Sequence, residues 1–98
     1  MIIGITDSWR PNKKYVALIK ENGYIHQVHF GQMGYEDYTT HKDKERKNRY
    51  ILRHSGEDWN NIYKPGFWSR WILWNKKTIE DSIKNTEKRI NNKIKYIN

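Results

Sequence analysis

The chain contains no cysteine, so disulfides and thiolate metal sites are excluded. Alanine occurs once, as Ala17. No apolar run approaches the ~20 residues that a membrane-spanning helix needs. The opening MIIGITDSW has neither a basic leading region nor a long apolar core, so it does not read as a secretion signal. There is no G-x-x-x-x-G-K-[ST] phosphate loop, no G-x-S-x-G elbow and no cysteine nucleophile. No internal repeat or long low-complexity segment is visible.

What the chain has instead is charge and large rings. Its 98 residues carry 19 Lys and Arg against 11 Asp and Glu, a formal net charge of +8. Such a surplus points to a polyanionic partner: nucleic acid, an anionic surface or an acidic protein. A chain of this length makes one small domain with a small core. Five Trp and seven Tyr can fill that core, since each ring buries ~150–250 Å². Lys, Ile, Asn and Tyr are heavily used, and their codons suit an AT-rich genome.

Met1 to Asp7 reads as a short strand, and Ser8 to Lys14 as a loop. YVALIK (15–20) and YIHQVHF (24–30) flank Glu21-Asn22-Gly23, a strong hairpin signal because Asn and Gly tolerate φ > 0. Tyr24, His26, Val28 and Phe30 fall on one face of the second strand, with Ile25, Gln27 and His29 on the other. One face is expected against helices and the other partly wet. Gly31 and Gly34 bracket two residues, as in a tight turn. Such a turn can offer N–H groups to a phosphate, but the simpler reading is that Gly31 ends the strand.

A helix is expected from about His41 to His54, capped by Thr39 or Thr40 and closed by Ser55-Gly56. FWSRWILWN (67–75) carries aromatics around most of a helix, as a buried helix does. Trp59, Trp68, Trp71, Ile72, Leu73 and Trp74 are expected to form the core with Val16, Leu18 and Val28. Thr78 caps the last helix. Its stripe of Ile79, Ile83, Ile90, Ile94 and Ile97 docks at first, then extends over residues 90–98 as a basic tail or pairs with a second copy in a homodimer.

The run HFGQMGYEDYTTHKDKERKNRYILRH (29–54), followed by EDW and SRWILWNKKTIEDSI, resembles a small domain of unknown function found in large DNA viruses of eukaryotes and in some phages. The resemblance spans about Tyr15 to Arg89. It implies a viral source, and hence a location in the virion or the host cytoplasm or nucleus. It carries over no activity, cofactor or catalytic residue.

Three kinds of function are weighed on these residues. On a single helix Lys42, Arg46, Arg49 and Arg53 follow i, i+4, i+7, i+11 and share one face. That face can follow phosphates, with Tyr35, Tyr38 or Tyr50 stacking on bases. The competing reading pairs these cations internally with Asp37, Asp43, Glu45, Glu57 and Asp58. A nuclease would use His29, Asp37, His41, Asp43 and His54, but no metal-ligand spacing appears among them, and His41 and Asp43 do not face each other on a helix. A virion structural or assembly role acting through protein contacts is the third class, and a membrane-surface role is the weakest. The expectation is an α+β fold, with an N-terminal strand, a hairpin and three helices mainly on one face of the sheet. Its function is expected to be non-enzymatic, largely sequence-independent binding of DNA or RNA. Lys42, Arg46, Arg49, Arg53, Tyr35 and Tyr38 form the expected site, and no cofactor or metal is expected.

Overall fold

The computed structural model describes residues 1–97. Three strands come first: β1 (Ile2–Asp7), β2 (Lys13–Glu21) and β3 (Tyr24–Gln32). The β2–β3 turn forms at Asn22 (φ 50°) and Gly23 (φ 82°), the pair of positive angles that matches the twist of a tight hairpin. Helices α1 (Tyr38–His41), α2 (Lys44–Arg53) and α3 (Pro65–Trp68) follow. A π-helical turn (Ser69–Leu73), α4 (Ile79–Ile90) and a last strand β4 (Ile94–Tyr96) complete the chain. The fold is α+β, as the hydrophobic pattern implies. Its sheet has the order β3-β2-β1-β4, antiparallel except that β4 runs parallel to β1.

Strand register decides which residues meet the helices. Ile3 and Ile5 stand opposite Ile19 and Ala17, and Ala17 opposite Val28. These side chains pack with Phe30, Phe67, Trp68, Ile72, Leu73, Ile83 and Ile94 in one cluster. Val16 and Leu18 have the opposite parity, so they leave this core. Val16 is buried on the other face, beside His29, whose ring takes the edge of Trp9 at 4.8 Å. Leu18 is only partly covered. Trp59 also lies outside the cluster; its backbone carbonyl accepts from Trp71 Nε1 at 2.9 Å. Trp68 is fully buried and satisfies its indole N–H on the Ile62 carbonyl at 2.7 Å, as a buried ring with a polar handle must.

Two of the expected helices change shape. The aromatic helix winds out into the π turn, where Trp74 N–H donates to Ser69 O at 3.0 Å. The last helix starts at Thr78 as expected, its hydroxyl accepting from Asp81 N at 3.1 Å. It stops at Asn91, which takes the left-handed conformation (φ 53°), a helix-ending geometry Asn tolerates. Residues 94–96 are therefore strand, not a helical tail. Glu87 secures the reversal by accepting from Ile94 N at 2.7 Å, and Ile97 N donates to Ile5 O at 2.8 Å. Most of the isoleucine stripe is spent inside the domain: Ile83 and Ile94 join the core, with Ile79 and Ile90 packed against it, while Ile97 stays exposed. Asn98 lies outside the described residues.

Gly31 is strand rather than a phosphate turn. Its φ is +80°, and a Cβ there would sit 2.8 Å from Leu73 Cδ1 and 3.2 Å from Lys14 Cβ. The position demands Gly because the π turn presses on the backbone of β3.

Candidate nucleic-acid interface

The charged segment is two helices, and its break is written by side chains. Asp37 caps α1, accepting from Thr39 N at 2.9 Å while Thr40 Oγ1 accepts from Asp37 N at 2.9 Å. The cap is thus Asp37, with the threonines in supporting positions. At the far end Lys42 adopts φ 57°, and His41 Nδ1 accepts from Asp43 N at 2.9 Å. Asp43 then caps α2 through Glu45 N and Arg46 N, at 2.9 and 3.3 Å. Asp and His side chains compete here with the helical backbone for its N–H groups, and they win locally. Lys42 is therefore not on one helical face with Arg46, Arg49 and Arg53.

The structure splits the expected site in two. Arg46, Arg49 and Arg53 line a groove of about 550 Å³ with Tyr35, Glu36, Leu52 and Trp74. Tyr35 and Leu52 are well exposed, so the groove has open apolar walls beside its guanidinium groups. Lys42 and Tyr38 belong to another depression, with Lys47 and Asn75. Tyr38 is buried, and Lys47 Nζ stands 4.9 Å from its ring centroid. Its faces are closed to a base. The capping geometry at Asp37 explains this, since it starts α1 with Tyr38 already turned inward.

Tyr50 is likewise committed to internal stacking. It lies parallel to Trp74 with centroids 4.4 Å apart and against His54 at 4.2 Å. Burial raises its pKa well above the ordinary phenol value, and the nearby Glu57 carboxylate adds to that. This stack braces the groove wall from behind. Sequence reasoning missed Trp74 as a groove residue, because its helical spacing signals only core.

The expected internal pairing of the cations is not what the acids do. Asp37, with its side chain 4% exposed, holds Lys14 at 2.7 Å. Glu57 pairs with His54, and Asp43 is occupied as a cap. Glu36 meets Arg46 at 3.3 Å, with both partners exposed. Among the described residues, no carboxylate comes within ion-pair distance of Arg49, Arg53, Lys42, Lys44 or Lys47.

The residues of the nuclease reading are dispersed among separate contacts. His29 is buried, its Nδ1 2.7 Å from the Ser8 hydroxyl. Burial lowers its pKa, helped by the charges of Arg10 and Lys13. His41 packs against Trp74 at 5.3 Å. Asp37 and His54 do line one hollow of about 370 Å³, together with Lys14, Glu57 and Ser69, but Asp37 is taken up by Lys14 and Glu57 by the His54 ring. No three His, Asp or Glu side chains converge among the described residues. No helix of the described residues is long and apolar enough to cross a membrane.

Fold and surface together define a small α+β domain whose basic faces on α2 and its flanks are only partly neutralised. The chain belongs to a family of unknown function, DUF5754, whose model matches residues 3–54. The match takes in β1 to α2, so it reaches further toward the N-terminus than the resemblance read from the sequence and stops before the tryptophan-rich segment. No curated protein and no solved structure matches the chain.

Proposed function

We propose that the protein is a non-enzymatic, largely sequence-independent nucleic-acid-binding protein, and that the arginine groove on α2 is its contact surface. The observation that carries this reading is that, among the described residues, Arg49 and Arg53 have no carboxylate within ion-pair distance, in a groove whose acid, Glu36, pairs with Arg46 and which also exposes Tyr35. Arg presents a planar fork of donors suited to phosphate oxygens. An exposed ring beside such forks can stack on an unpaired base. Arg46 is the adjustable member, because its exposed pair with Glu36 is weak enough to open. No ladder of side chains converges on a base edge, so affinity would come from the backbone rather than from sequence. A role with the genome of a large DNA virus fits the composition, and we propose it as the setting.

The experiment is fluorescence anisotropy of labelled single- and double-stranded DNA and RNA, each at low and moderate salt. Binding that weakens steeply with salt is the expected result. A flat response at low salt for all four probes overturns the reading in favour of a protein partner.

A further inference from the structure

On the other side of α2 lies a second depression that shares no residue with the arginine groove. Its volume is about 350 Å³, and five lysines line it: Lys42, Lys44, Lys47, Lys76 and Lys77. No carboxylate is among its walls. Surface lysines ordinarily relieve such crowding by swinging their heads into water. Here two of them are held in place. Lys42 reaches the depression from a left-handed backbone, φ 57°, which a side-chain-bearing residue adopts only at a cost. Its ammonium group donates to Thr39 O at 3.1 Å. Lys47, half-buried over Tyr38, donates to the Asn75 carbonyl at 2.6 Å. Asn75 is itself buried and fixed, its amide donating to Trp71 O at 3.1 Å and Asn85 Oδ1 at 2.8 Å. The positive field is uncompensated: burial, then the charges of Arg70, Lys76 and Lys44, lower the pKa of Lys47.

We propose that this lysine cleft binds a compact, multiply charged phosphate group. Its volume sits at the small end of the ~300–1,000 Å³ typical of ligand sites, which suits an ion better than a nucleoside. Lysine ammonium groups act as point charges without a fixed fork, and so accept a tetrahedral anion in several orientations. The same chemistry has two sources: successive phosphodiesters of a nucleic-acid backbone, or a free oligophosphate.

The test is isothermal titration calorimetry of the full chain with inorganic tripolyphosphate at low salt. Lys76→Gln/Lys77→Gln removes two charges from exposed cleft positions that carry no cap. Lys84→Gln/Lys88→Gln removes two equally exposed charges from α4, away from the cleft. The first variant should weaken binding by about tenfold or more, equivalent to roughly 1.4 kcal/mol, and the second should leave it nearly unchanged. Absence of tripolyphosphate binding, or equal loss in both variants, overturns the site in favour of diffuse charge. Duplex DNA that displaces bound tripolyphosphate assigns the cleft to backbone phosphates; simultaneous binding assigns it to a free oligophosphate. Failure here leaves DNA binding by the arginine groove unaffected, so the two readings fail separately.

Discussion

Replacing Arg49 and Arg53 together with Gln should flatten the salt dependence of DNA binding while sparing the fold. Both side chains line the groove without a carboxylate partner, and both residues are exposed, so neither substitution opens a cavity. Each phosphate neutralised contributes a slope of about −0.9 in log K against log salt on duplex DNA. Two guanidinium groups therefore account for about −1.8. Between 50 and 200 mM salt that difference amounts to a roughly 12-fold larger loss of affinity for the parent than for the variant. Arg46 remains in the variant but shares its charge with Glu36, so a shallow residual slope should persist. The assay is anisotropy across a salt series, with circular dichroism and a thermal melt confirming the fold. A variant that folds normally and keeps the parental slope would refute the argument and remove α2 from the binding surface.

Asp37→Ala should cost about 3 kcal/mol in a urea melt, because it removes both the α1 cap and the partner of Lys14; Asp37→Asn keeps the cap and should lose only part of that. Gly31→Ala should destabilise by about 1–3 kcal/mol, since it combines φ +80° with a contact of 2.8 Å to Leu73, and Gly34→Ala, which meets no neighbour, should cost less. Stability should fall as pH rises above about 10. Burial lifts Tyr15 to about 12 and Tyr50 higher still, so the unfolded chain loses these protons first and is favoured. A spectrophotometric titration should show both rings ionising only as the near-ultraviolet dichroism collapses.

Where one local signal acted alone, the sequence was readable. Asn22-Gly23 marked the hairpin, and Thr78 started α4. Misreadings fell where two signals competed. Asp43 and His41 look like ordinary members of a charged helix, yet their side chains take the backbone N–H groups and divide it. Ile94 continues a helical stripe, but pairing with Ile3 from the far end of the chain makes it a strand. That bond partner is invisible to any local window. Val16 and Leu18 were misplaced by strand parity alone: a register offset of one residue exchanges the faces of a sheet. As for the candidate site, the arginines and Tyr35 were legible as charge and ring. The separate lysine cleft was not, because Lys76 and Lys77 reach it only through the packing of Asn75 beneath α2.

The parallel pairing of β4 with β1 has a consequence for the order of events during synthesis. β1 leaves the ribosome well before β4, yet one of its two edges is satisfied only when Ile94–Tyr96 arrives. The β2–β3 hairpin and its pairing with β1 can form early, since their contacts are closer in sequence. Throughout that interval an isoleucine-rich strand presents unpaired backbone groups, the circumstance in which nascent chains stick to one another. The docking of β4 is then the closing step. A stalled chain released before Ile94 should be the species that chaperones hold, and a refolding trace should show its slowest phase in the probes nearest that final strand.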